Sequence, residues 1–93
     1  MSKIKLKLYI IGYTPLSKKA IKNLEGLCKS PELDGKYEAE VINLLENPTL
    51  AESEKILATP LLIKELPEPL RRIVGDLSDH QKVLVGLDIC ELD

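Results

Sequence analysis

Phenylalanine and tryptophan are absent from this 93-residue chain, and three tyrosines are its only large aromatic side chains. A core must therefore be filled by Leu, Ile and Val, for which a hydrophobic content of 44% is ample. There is no CxxC; Cys28 and Cys90 stand far apart, a pattern that suits isolated thiols better than a disulfide framework or a metal set. The lone His80 has no His or Cys beside it to complete metal-ligand spacing, and is expected on the surface, in the first turn of a helix. Positive charge is not in excess: 13 basic against 15 acidic residues leave a net −2, which argues against a general nucleic-acid binder. No glycine-rich phosphate loop occurs, since Gly75 and Gly86 are isolated. No apolar run approaches the ~20 residues of a membrane span. No signal-like segment precedes Ile4, so a soluble, cytoplasmic chain without membrane contact is expected. No cofactor is implied.

What is present reads as one domain over residues 1–93. Lys3 to Ile11 alternates, with Ile4, Leu6 and Leu8 on one face and lysines on the other, the period of a strand. Thr14-Pro15 then opens a helix, Thr as N-cap and Pro at the first helical position. Leu16, Ala20, Ile21, Leu24, Leu27 and Cys28 follow at helical spacing, and Ser30-Pro31 stops the helix before a polar loop over Glu32 to Lys36. Tyr37 to Leu45 is a second strand. Asn47-Pro48 repeats the cap-then-proline device for a short helix over Thr49 to Ile56.

The apolar run Ile56-Leu57-Ala58-Thr59-Pro60-Leu61-Leu62 is broken by Thr-Pro. It predicts a strand, Leu61 to Glu65, that starts at a proline-imposed corner where a cis bond is accessible. Leu66-Pro67-Glu68-Pro69 is a turn, and Arg71 to Gly75 pairs back as a hairpin. Ser78 with Gln81 makes a capping box for a last helix through about Cys90. The order is βαβαββα. A right-handed first βαβ unit and a closing hairpin give an α/β fold of the thioredoxin-like plan, with a four-stranded mixed sheet.

Two stretches send mixed signals. Lys82-Val83-Leu84-Val85-Gly86-Leu87-Asp88-Ile89 has a helix start, yet β-branched residues and an interior Gly suit a strand; Arg71 to Val74 is similarly double-natured. Such conflict argues against a single deep minimum.

In the thioredoxin-like plan the start of the first helix is the place for a redox CxxC. Here it reads Thr14-Pro15-Leu16-Ser17, and no hydroxyl can become a low-pKa thiolate, so dithiol exchange is excluded there. Glutathione transfer would need a second, helical domain. Carboxylate pairs such as Glu52 with Glu54, or Asp76 with Asp79, are too ordinary among 15 acids to nominate a site. What stands out is a basic set, Lys55, Lys64, Arg71 and Arg72 with Lys19 on the first helix, which suits either an acidic partner surface or mere solvation.

The words ILATP, LPxPxRR, GDLS and KVLxGLD, in that order, with Leu8-Tyr9-Ile10-Ile11-Gly12-Tyr13-Thr14-Pro15 near the start, resemble the KaiB family of the bacterial circadian clock. The resemblance implies a protein without catalytic activity that docks on the N-terminal ATPase ring of the hexameric kinase KaiC. There it would displace or capture regulators, KaiA or sensor histidine kinases in cyanobacteria. It implies partner contacts at Lys19, Lys55, Lys64, Arg71 and Arg72. It also implies two folds: a tetrameric resting form with a rearranged C-terminal half, and a monomeric thioredoxin-like form. Gly86 and Asp88 match positions tied to that balance, and Pro60 marks the corner of the part that rearranges. Departures are also visible. Glu91 stands where cyanobacterial members carry a Tyr before an acidic tail, which favours the thioredoxin-like form. Glu38 and Glu40 replace apolar or basic residues on the strand implied to capture KaiA. The alternatives from other classes are a thioredoxin-like thiol-handling enzyme and a detached sensor-kinase input module.

Overall fold

Alternation of apolar and polar side chains in the first strand decides the layering. The structure, a computed structural model, describes residues 3–30, 33 and 35–89. Strand β1 (Ile4–Ile10) puts Leu6, Leu8 and Ile10 on one face, all buried, and Lys5, Lys7 and Tyr9 on the other. Helix α1 (Pro15–Cys28) starts as its residues require: the Thr14 hydroxyl accepts from the Ser17 N–H at 3.1 Å and Pro15 occupies the first turn. Then come β2 (Tyr37–Asn43), α2 (Pro48–Ser53), β3 (Leu61–Leu66), β4 (Arg71–Val74) and α3 (His80–Gly86). The sheet order is β2-β1-β3-β4, with β1 and β2 parallel and the other pairs antiparallel. This is the expected α/β, mixed-sheet arrangement.

Helices α1 and α3 cover one face. Ala20, Leu24, Leu27 and Cys28 meet Val83, Leu84 and Leu87 over Leu6, Leu8, Ile10 and Leu62. Helix α2 covers only the upper part of the other face, where Leu50, Ala51 and Ile56 pack on Tyr9, Leu44, Leu61 and Ile63. The lower part of that face is charged. A register shift between Lys5 and Leu6 leaves Glu65 unmatched on β3, and its carboxylate meets Lys7 at 3.3 Å and Lys5 at 3.9 Å.

Three local expectations differ. The N-cap of α3 is Asp79, whose carboxylate accepts from the Lys82 N–H at 3.1 Å, rather than Ser78. The Ser78 N–H is already taken by the Asp76 carboxylate at 3.1 Å, and Leu77 is turned to φ 63, so the helix begins one residue later. Helix α3 also stops early, at Gly86; the expected end at Cys90 and the chain onward to Asp93 lie outside the described residues. Asn47 precedes α2 without a side-chain cap, since its amide donates to the Asn43 carbonyl at 3.2 Å. Two side chains also sit differently: Leu16 is 49% exposed rather than core, and His80 is half-buried, lying over Gly26 of α1.

Both short helices end in the same way. The Asp88 N–H bonds to Val85 O at 3.0 Å and the Ile89 N–H to Leu84 O at 2.9 Å, with Asp88 at φ 58, a Schellman ending whose apolar members Leu84 and Ile89 are both buried. In α2 the Lys55 N–H bonds to Glu52 O at 3.2 Å and the Ile56 N–H to Ala51 O at 2.8 Å, with Lys55 at φ 54. A left-handed residue thus turns the chain sharply after each helix, and after α2 it aims the next residues toward the Thr59-Pro60 corner.

Candidate functional site

The end of the sheet where β1 finishes and β3 begins gathers the features that sequence alone singled out. Tyr9 stands opposite Leu61 and Leu61 opposite Val74, so the loops Gly12–Thr14, Thr59–Pro60 and Gly75 emerge together. The Thr59–Pro60 bond is cis, and the Gly75 N–H donates to the Pro60 carbonyl at 2.9 Å. At the start of α1 the Thr14 hydroxyl donates to Ser17 Oγ at 3.1 Å, and Ser17 is 4% exposed. Two hydroxyls bonded to each other occupy the dithiol position. Neither has a base beside it in the hydrogen bonds of the described residues, so nothing there activates a nucleophile. The buried thiol of Cys28 is no substitute: burial, and secondarily the Glu25 charge, pushes it up to about 11, so it stays protonated and unreactive.

Next to this corner runs an apolar groove of about 380 Å³. Its wall comes from the end of β1 (Ile11), the loop after β2 (Leu44, Leu45), helix α2 (Pro48, Ala51) and the segment Ile56–Thr59. Leu57 is 97% exposed, Leu45 66% and Ile11 49%, a concentration of uncovered apolar surface at one end of the sheet. The sequence reading missed these residues. The available signal was Leu57 itself, an apolar side chain in a corner between helix and strand where no periodicity assigns it to the core.

The basic set is dispersed. Lys55 is exposed at the end of α2, on the rim of the adjoining hollow formed with Pro48, Ala51, Glu52, Ile56 and Leu57. Arg72 lies on the same side of the sheet and donates to the Glu54 carbonyl at 2.9 Å and the Lys55 carbonyl at 3.3 Å. Arg71 points to the opposite face, exposed at the lower end of β4. Lys64 is 1% exposed, opposite Leu6 on the face that α1 and α3 cover, so in this packing it is out of reach of a docking partner. Lys19 is on α1, paired with Asp76 at 3.2 Å. The carboxyl of Asp76 is held below its ordinary range by hydrogen bonds from Ser78 first and then from Lys19. Asn23 also donates to the Asp76 carbonyl at 2.7 Å, which ties α1 to the loop before α3. Of the expected contacts, Lys55 and Arg72 alone fall together beside the groove.

The charged part of the α2 side is internally paired. Burial lowers the Lys7 ammonium, but the hydrogen bond and charge of Glu65 outweigh it and leave the group raised. The Tyr9 phenol is raised by burial and then by the Glu54 charge. Glu38 and Glu40 stand on the open edge strand β2, all of whose residues from Tyr37 to Val41 are exposed. Among the described residues, no group of three or more His, Cys, Asp or Glu side chains could hold a metal ion.

A family model described as KaiB domain matches residues 7–89. The circadian clock oscillator protein KaiB of Synechococcus elongatus is 56% identical over 84 residues, which cover 90% of this chain and 81% of that protein. Its counterpart from Microcystis aeruginosa is 55% identical over 84 residues, 90% of this chain and 80% of that one. Among solved structures, the N-terminal domain of Synechococcus elongatus SasA matches 100% of this chain and 90% of its own, with a TM-score of 0.76 at 24% identity. Chloroplastic thioredoxin z matches with a TM-score of 0.71 at 17% identity, over 94% of this chain and 80% of its own. At those identities the two structures establish the thioredoxin-like fold and nothing more.

Proposed function

The chain belongs to the KaiB family, and on that footing we propose that it is a non-catalytic clock regulator that works by docking. The partner is the N-terminal ATPase ring of a KaiC-type hexameric kinase, whose phosphorylation state, or whose access to other regulators, the bound chain changes. The observation that carries this reading is the uncovered apolar surface of Leu57, Leu45 and Ile11 beside exposed Lys55. A pocket for chemistry would bring convergent polar groups; this groove brings almost none, and burying it against a protein gains far more than leaving it wet. Lys55 at its rim would steer an acidic partner and fix the orientation.

The same family footing supports a change of fold, with residues from Pro60 onward repacking in a tetrameric resting form. Features that support it are β-branched Val83 and Val85 in α3, Gly86 at its last position rather than in the interior expected from the sequence, and Asp88 in a left-handed conformation at the negative end of α3. A partner that binds one packing better than the other shifts the balance toward it. Glu38 and Glu40 on the β2 edge change the chemistry of the surface that captures KaiA elsewhere in the family, which weakens the case for KaiA relative to a sensor histidine kinase as the further partner.

Size-exclusion chromatography with a KaiC-type hexamer tests the reading. The chain should co-elute with the ring, and Leu57→Asp and Lys55→Glu should each sharply reduce co-elution. Undiminished complex with both variants would show that the face is wrong. Turnover of a thiol substrate that Ser17→Ala abolishes would replace docking with catalysis.

A further inference from the structure

Helix α2 is poorly secured by its own residues. It is six residues long, has no side-chain cap at Asn47 and buries none of its side chains fully. An isolated helix of that length does not persist in water. Its Schellman ending satisfies the carbonyls of Ala51 and Glu52 but not those of Glu54 and Lys55. The Arg72 guanidinium meets just those two, Nη2 on Glu54 O at 2.9 Å and Nη1 on Lys55 O at 3.3 Å. The planar fork is matched to two acceptors, and its positive charge sits at the negative end of the helix. Lys55 is held at φ 54, a conformation that side chains other than Gly and Asn resist, and this bend sets the direction of Ile56 and Leu57. Arg72 can reach α2 only while β4 pairs with β3, since Arg72 stands opposite Ile63, which packs beneath α2.

We propose that Arg72 is a positioning residue that caps the C-terminus of α2 and fixes the Lys55–Leu57 corner, so that the β3–β4 pairing sets how the docking surface is presented. The proposal rests on the docking reading above and assigns Arg72 a role distinct from a direct partner contact. Arg72→Lys keeps the charge and removes the fork; Arg72→Gln removes both; Arg71→Gln is the control on the opposite face.

The test has two readouts on the intact chain. Amide hydrogen exchange at Lys55 and Ile56, whose N–H groups close the Schellman ending on Glu52 O and Ala51 O, should quicken about tenfold or more in both Arg72 variants, a shift corresponding to the loss of about one charge-assisted pair of bonds, while β1 amides stay protected. Affinity for the KaiC-type hexamer should fall to a similar degree in both variants, with the salt dependence of binding unchanged, because no interfacial charge is lost. Arg71→Gln should leave the exchange unaltered. If Arg72→Lys binds like the wild type while Arg72→Gln loses both affinity and salt dependence, Arg72 is a direct charge contact and the proposal fails. It fails equally if exchange at Lys55 and Ile56 is the same in all four proteins. A wild-type chain that ignores the ring overturns the docking reading alone, and the exchange measurement still decides the cap.

Discussion

The two halves of the molecule handle left-handed backbone differently. In the first, through β2, the described positions with positive φ are Gly12 and Gly35, residues that adopt it without steric cost. In the second, Lys55, Leu77 and Asp88 adopt it, and Gly75 is the only glycine that does. Lys55 and Leu77 each cost about 1–2 kcal/mol more than a glycine would there, and Asp88, whose short polar side chain tolerates the region, costs less. The first half is also locally consistent: Thr14 caps, Pro15 starts, and Ala20, Leu24 and Leu27 face the core at helical spacing. In the second half a four-residue strand and a seven-residue helix carry a glycine, β-branched residues and a badly placed acid. Stability that comes from tertiary packing rather than local preference can be lost to a competing packing, and that lesson is the physical content of the two-fold proposal.

Several changes would break or sharpen this contrast. The largest effect is expected in the first half: Leu8→Ala, at a fully buried centre of the sheet, should cost about 3 kcal/mol in urea unfolding and lower every region together. In the second half, Gly86→Ala at the last position of α3 should gain only part of the ~1 kcal/mol that separates the two residues in a helix interior, and its methyl would stand 2.6 Å from Ile73 Cδ1. That side-chain end can swing, so the net gain should be small alone. Combined with Ile73→Val, which deletes the obstructing carbon, the two substitutions should couple favourably in a double-mutant cycle by about 0.5 kcal/mol or more. Asp88→Asn should stabilise the helical form by about 0.5 kcal/mol, since Asn tolerates the left-handed position and removes a negative charge from the helix C-terminus. Far-UV circular dichroism should then show more helix, not less.

The smallest effect concerns pH. The folded-state carboxyl of Asp76 is depressed, so its contribution is present above its unfolded value and is lost as pH falls through the folded one. Melting temperature should therefore decline below about pH 4. In Lys19→Gln the decline should be shallower, because one of the groups that hold the carboxylate is gone.

Much of the architecture was readable from pattern alone. Alternation in β1, the Thr14-Pro15 start, and the hairpin after the Pro67–Pro69 turn all reappear, because local preference and tertiary packing agree there. The start of α3 was misplaced by one residue because a side chain at Asp76 competes for the Ser78 N–H, a long-range detail set by Lys19 and Asn23 on α1. Lys64 looked like a surface charge because its burial depends on two helices that cover that face of the sheet, not on its neighbours in sequence. The exposure of Leu57 could not be recognised, since in a corner it is decided by the direction of the chain after Lys55. The hydrogen bonds of Arg72 to the end of α2 were likewise invisible, because its acceptors are backbone carbonyls 17 and 18 positions away.

Hydrogen-exchange mass spectrometry of the chain alone and bound to a KaiC-type hexamer tests the central claim most directly. Docking through the groove predicts new protection concentrated in residues 44–59, with the charged lower part of the sheet unchanged. No complex at all, or protection that spares residues 44–59 and falls elsewhere, would contradict it.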